Sequence, residues 1–131
     1  MSDRPLSLSA VKRVQESMIG WLTTLRPDGS PHTTPVWFVY YSGRICVASG
    51  ARNAKVGNIR HDPRVSVAIE GTSDAPMVAQ GTANLAAVAD VSLDVIDSFS
   101  RKYSGWDVRD SSMDGDRVVI SIDISRWLLA G

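Results

Sequence analysis

The chain carries one cysteine, Cys46, among 131 residues, so no disulfide can form within it. A small secreted scaffold built on disulfides is thereby excluded, and a reducing, intracellular compartment is expected. It also lacks any excess of charge: lysine and arginine total 14, aspartate and glutamate total 14, and the formal net charge is zero. The broad positive footprint of a nucleic-acid binder is missing. No apolar run is long enough to span a membrane. The first residues, Met1 to Leu8, are polar at Ser2, Asp3 and Ser7 and contain Pro5, which is not the pattern of a secretory leader. These absences lead to the expectation of a cytoplasmic protein with neither membrane nor nucleic acid as partner. What is present is ordinary for one soluble domain: 44% apolar, 21% charged and 7% aromatic residues. A chain of this length buries roughly two-thirds of its unfolded surface, enough for a core without staples. Residues 1–131 are therefore read as a single domain. A neutral surface also favours self-association, which is compatible with a homodimer.

The pattern along the chain is mainly β. Ser9–Ser17 reads as a short amphipathic helix, with Ser7 and Ser9 as candidate caps and Ala10, Val11 and Val14 at helical spacing. Strands are expected at Met18–Leu25, His32–Tyr41, Arg44–Ser49, Arg64–Glu70, Met77–Asn84 and Arg117–Ile124. Pro27 and Gly29 mark one turn, and Ser42-Gly43 closes a hairpin. Gly81 marks a bend or bulge in the fifth strand. Pro35 lies inside the second strand without an N–H to donate, so that backbone belongs at an edge or a bulge and leaves amides free for another partner. A short helix is expected over Ala54–His61, stopped by Asp62-Pro63, and the longest helix over Val88–Tyr103. Hairpin-spaced strands with few helices indicate a β-barrel with appended helices, and a doubly wound sheet does not fit the order.

Chemistry concentrates at Ser49-Gly-Ala-Arg-Asn-Ala-Lys55. A strand ends there, a glycine turn follows and a helix begins, which aims backbone amides and the positive end of a helix dipole at one spot. Ser49 and Asn53 add short hydrogen-bonding groups, while Arg52 and Lys55 add charge-assisted donors for a phosphoryl or carboxylate oxygen. The same residues also suit an ordinary helix start with solvated basic side chains.

Two stretches carry a resemblance. Gly20-Trp-Leu-Thr-Thr-Leu-Arg-Pro-Asp-Gly-Ser-Pro-His-Thr-Thr-Pro-Val-Trp-Phe38 and Ala54-Lys-Val-Gly-Asn-Ile-Arg-His-Asp-Pro-Arg-Val-Ser66 are similar to the pyridoxamine 5'-phosphate oxidase-like split-barrel superfamily. More narrowly, they resemble its small actinobacterial branch, the B-type flavin/deazaflavin oxidoreductases that use the deazaflavin coenzyme F420. The likeness runs from Gly20 to the last strand, and its two motifs are specific together and weak apart. It implies a split β-barrel and a homodimer with cofactor sites in grooves between subunits. It further implies that Lys55, with Ser49, Gly50, Arg52, Asn53 and Ala54, holds the coenzyme phosphate. Thr34, Pro35, Val36 and Trp37 would line the tricyclic ring, and Asn58 and Ile59 would close the site from the helix. Superfamily members that bind flavin mononucleotide resemble one another in an arginine and a lysine on the strand matching His32–Tyr41, and this strand has neither. That departure favours coenzyme F420, with flavin mononucleotide as the alternative and haem, as in some members of the fold, a third.

With that cofactor the expected reaction is a two-electron reduction of a conjugated small molecule such as an enone, quinone or tetrapyrrole, the cofactor supplying the hydride. The alternative to an enzyme is a carrier of deazaflavin, flavin or haem without turnover. Solvent is the expected proton source; His32 and Tyr40 are the side chains that could compete with it. Cys46 fits a small buried hydrophobe better than a nucleophile. His61 lacks partners at metal-ligand spacing, so no metal is expected. Trp106 suits either a cover over a cofactor groove or a structural anchor.

Overall fold

The computed structural model describes residues 6–71, 74–112 and 115–130. Most of the Met1–Leu8 segment on which the leader reading rests lies outside that range, as do parts of the polar loops at 71–76 and 104–116. Ten elements, seven strands and three α-helices, follow in the order α1 (Leu8–Glu16), β1 (Gly20–Leu25), β2 (Pro31–Val36), β3 (Phe38–Tyr41), β4 (Arg44–Gly50), α2 (Ala54–His61), β5 (Arg64–Ile69), β6 (Met77–Ala87), α3 (Leu93–Lys102) and β7 (Arg117–Ala130). The strands form one antiparallel sheet in the order β2-β1-β5-β6-β7-β4-β3. The strand pattern predicts a mainly β barrel with appended helices and the resemblance implies a split barrel, and this is the fold that forms.

The strand expected over His32–Tyr41 is two strands. β2 ends at Val36 and β3 begins at Phe38, and the two halves lie at opposite edges of the sheet with Trp37 between them. Pro35 accordingly sits on an edge strand, where its missing N–H breaks no ladder on the outer side. The curled sheet brings β2 back toward β4 near the break, and the Ala48 N–H donates to the Trp37 carbonyl at 3.4 Å, which prolongs the β3–β4 ladder by one residue.

β6 and β7 run longer than their periodicity suggests, to Ala87 and Ala130. They stay paired because β7 absorbs an extra residue at each of two register shifts, between Val78 and Ala79 and between Gln80 and Gly81. At the second shift the backbones approach so closely that a Cβ on Gly81 would lie 2.2 Å from the Asp123 carbonyl oxygen. Gly81 is thus where the bulge expected from sequence occurs, and close approach is the reason for it.

The helix expected to begin at Val88 begins at Leu93. Val88–Asp90 forms a single 3-10 turn, Val91 is extended, and the Ser92 side chain caps α3 by accepting from the Val95 N–H. Val91, which falls on the apolar helical spacing, packs from that extended position against the cluster of Val95, Ile96 and Phe99 under α3. The larger cluster fills the barrel with Leu22, Phe38, Ile45, Val67 and Ile120, and α1 covers it through Ala10 and Val14. Among the described residues no helix is long and apolar enough to cross a membrane.

Candidate functional site

The end of β2, the β2–β3 break, the end of β4 and the start of α2 meet in an open cleft of about 370 Å³. It is lined by Pro35, Val36, Trp37, Ala48, Ser49, Gly50, Asn53, Lys55, Trp106 and Arg117. Both sequence-predicted segments therefore reach one place although they are far apart in the strand order. The barrel accounts for this, because the β2 edge and the inner strand β4 come together only when the sheet curls.

Lys55 dominates the electrostatics. Its residue exposure is 9%, and burial pulls its ammonium below the ordinary lysine range. No carboxylate or carbonyl partner is found for it among the described residues. A buried cation without a counter-charge is costly unless a ligand supplies one. Asn53, the residue before α2, makes no capping bond with its side chain, which leaves the first turn of the helix uncovered. Instead its amide lies 3.4 Å from the Ser49 hydroxyl, and that hydroxyl donates to the Gly50 carbonyl. A Cβ on Gly50 would sit 3.1 Å from the side-chain oxygen of the exposed Asn53, so the two residues are closely packed at the turn.

The opposite wall is aromatic. Trp37 remains 42% exposed, yet it is stacked on Tyr103 with centroids 4.4 Å apart and planes 4° apart. Trp106 meets Trp37 edge-on at 5.1 Å and Phe99 at 5.9 Å. The Arg117 guanidinium lies over the Trp106 ring at 4.8 Å and donates to the carbonyls of Val108 and Asp110. Trp106 is thus both an anchor and a wall of the cleft. Arg117 and Ala48 are lining residues that motif reasoning missed. Nothing in the local sequence marks Arg117, which reaches the cleft because β7 pairs with the end of β4, Arg117 facing Gly50 in register.

Several sequence-predicted site residues lie elsewhere. Arg52 and Ala54 are exposed at the turn and the helix start, outside the cleft lining. Asn58 faces inward, where its side-chain amide donates to the Thr24 hydroxyl at 3.0 Å, and Ile59 belongs to the barrel core. The cause is helical geometry: Lys55, Val56, Asn58 and Ile59 are the buried residues of α2, and of these only Lys55 reaches the cleft. Thr34 lies on β2 with its hydroxyl buried and without a partner, as is His32 Nδ1 two residues earlier on the same face. Neither lines the cleft, nor does Tyr40, whose hydroxyl is pushed up by burial. Cys46 is buried in β4, and burial pushes its thiol up, away from nucleophilic thiolate character.

The fold and cleft define a split barrel with an anion-ready lysine beside an aromatic wall. Residues 9–130 match the pyridoxamine 5'-phosphate oxidase family, and the chain belongs to that family. Among solved structures it is similar to an F420 reductase, at 18% identity over 88% of this chain and 93% of that one, with a TM-score of 0.73. It is also similar to a conserved hypothetical protein of Mycobacterium tuberculosis, at 27% identity over 97% and 86% of the two chains, TM-score 0.73. A haem storage protein of Vibrio cholerae, HutZ, matches at 18% identity over 98% and 96%, TM-score 0.78. Proteins named as an F420 reductase and as a haem storage protein thus share this fold.

Proposed function

We propose that this protein binds coenzyme F420 in the cleft and uses its reduced form to reduce a conjugated small molecule, as an F420-dependent reductase of the B-type branch. The observation that carries this reading is Lys55, whose stem is buried and whose desolvated ammonium opens into the cleft at an uncapped helix start, with no protein counter-charge among the described residues. Such a site calls for an anion, and the cofactor phosphate is the group that fits it. Ser49 and Asn53 flank that position and can rotate their short polar groups toward an oxyanion. Pro35, Val36 and Trp37 offer an edge strand and an exposed indole to a planar ring system, as aromatic side chains do for flat ligands. The absence of arginine and lysine from His32–Tyr41 supports the deazaflavin over flavin mononucleotide.

Reduced F420 supplies a hydride, so the reaction class is two-electron reduction of an activated double bond or quinone-like system. The chain's own part is to hold the phosphate at Lys55, to keep the ring against the Trp37 wall and to exclude water there with Trp106. Among the described residues no carboxylate, histidine or tyrosine lines the cleft, which supports solvent as the source of the proton that follows the hydride.

A homodimer is part of the proposal. Pro35, Trp21, Ala68, Val78 and Leu129 are paired in register across five neighbouring strands, which puts them in one row on the outer face of the sheet. All are apolar and exposed or half-exposed, with Trp21 41% and Leu129 51% exposed. The next row, Thr33, Thr23, Ser66, Gln80 and Arg126, is polar. An apolar row that begins at a cleft residue is suited to cover by a second copy, which would then border the site.

Anaerobic turnover tests the activity. Purified protein should oxidise reduced F420 when offered a panel of enones, quinones and tetrapyrroles, read as the return of oxidised deazaflavin absorbance. Binding of F420 without turnover on any acceptor would establish a carrier instead.

A further inference from the structure

The β2–β3 break leaves Trp37 outside either strand and would leave the backbone of Phe38 without a partner on that side. Tyr103, the residue that ends α3, fills the gap. Its hydroxyl accepts from the Phe38 N–H at 2.9 Å, and its own proton is shared between the carbonyls of Met18 at 2.8 Å and Phe38 at 3.0 Å. The same ring lies flat against the Trp37 indole. Tyr103 is only 5% exposed, so these bonds are shielded from competing water. Beside it, Lys102 donates to the Phe38 carbonyl at 2.9 Å and sits 3.8 Å from the centroid of the Phe38 ring.

We infer that Tyr103, assisted by Lys102, is a positioning residue that fixes the orientation of Trp37 and thereby sets the affinity of the cleft for planar rings. The affinity part rests on the reading of the cleft as a ring-binding site; the fixing of Trp37 does not. Three features separate this arrangement from ordinary core packing. The phenol replaces a strand partner at the one place where the sheet is split. The stack is parallel and close. The ring so held is partly exposed in a cleft rather than buried, and an exposed indole held still loses less freedom when a ligand stacks on it.

The test uses the full chain and two readouts. Tyr103→Phe keeps the ring and removes the hydroxyl. In the ligand-free protein, the Phe38 amide should exchange its hydrogen at least about tenfold faster, while amides in β5 and β6 are unchanged. Near-ultraviolet circular dichroism should lose intensity in the tryptophan bands, as Trp37→Phe also should, and combining the two changes should lose no more than Trp37→Phe alone. In titrations with F420 and flavin mononucleotide, at a temperature where both proteins are fully folded, the ligand that wild type binds should be held about tenfold more weakly by Tyr103→Phe. Unchanged Phe38 exchange together with an unchanged dichroism spectrum would overturn the inference. Faster exchange with unchanged affinity would overturn its affinity part alone. If wild type binds neither cofactor, the ring-binding reading fails while the exchange and dichroism results still decide whether Tyr103 fixes Trp37. Should Tyr103→Phe not fold, Lys102→Met replaces it, with increased acrylamide quenching of Trp37 expected in a background where the other three tryptophans are phenylalanine; no increase would overturn the inference.

Discussion

At the scale of single residues, Lys55 and Lys102 are both cations that the fold desolvates, but their surroundings differ. Lys102 donates to a carbonyl and lies over an aromatic ring, whereas Lys55 has no described partner. For Lys55 the account predicts opposed effects. Lys55→Met should raise the stability of the ligand-free protein by about 1 kcal/mol, because a buried unpaired charge is removed. The same change should weaken cofactor binding about ten- to a hundredfold through loss of a charge-assisted bond. Thermal melting with and without cofactor checks both. Burial pulls the Lys102 ammonium down to about 8 from its ordinary 10.5. Between about pH 8 and 10.5 the unfolded chain therefore binds more protons at this position than the folded one, so Lys102 makes stability rise with pH in that window. Cys46 and the buried tyrosines, whose pKa values are raised, act in the opposite sense at the upper end. The difference between wild type and Lys102→Met in urea melts from pH 8 to 9.5 isolates the lysine: it should change in favour of wild type as pH rises, and a flat difference would contradict the assignment. Gly81 makes the third prediction at this scale. Gly81→Ala should lower stability by about 1–3 kcal/mol, seen as a reduced urea midpoint, because the Asp123 carbonyl occupies the space its methyl would need.

At the scale of elements, local chemistry was legible where one segment decides its own conformation. The α2 boundaries follow from the glycine turn before it and Asp62-Pro63 after it, and of the edge or bulge that Pro35 requires, β2 takes the edge. What sequence periodicity could not show was decided between elements. The β-forming run from His32 to Tyr41 carries no mark of a break at Trp37, whereas Tyr103 and Lys102, more than sixty residues later, bond the Phe38 backbone where β3 begins. Val91 has the spacing of a helix face but is placed by the Ser92 cap just beyond it. The extra length of β7 depends on pairing with β6 and on residues bulged out to keep register. The candidate site divides in the same way. Pro35, Val36, Trp37, Ser49, Gly50, Asn53 and Lys55 come together as their motifs suggest. Asn58 and Ile59, though in the same helical motif, point into the barrel, and Arg117 enters only through strand pairing.

For the whole molecule, zero net charge conceals a local arrangement: a cation held in a cleft, an aromatic wall opposite, and an apolar row leading outward across the sheet. The row predicts association. Replacing Trp21 or Leu129 by glutamate should place charge in the proposed dimer contact and shift sedimentation toward the monomer, with dissociation at least about tenfold easier. Sedimentation unchanged by either substitution would remove the row from the interface. The central claim is that the cleft takes an anionic deazaflavin through Lys55, and fluorescence titration tests it most directly. Wild-type protein titrated with coenzyme F420 should saturate at one cofactor per chain and bind it more tightly than flavin mononucleotide, and Lys55→Met should bind it about ten- to a hundredfold more weakly while remaining folded. Failure of wild type to bind F420 saturably, or undiminished F420 affinity in folded Lys55→Met protein, would contradict the account.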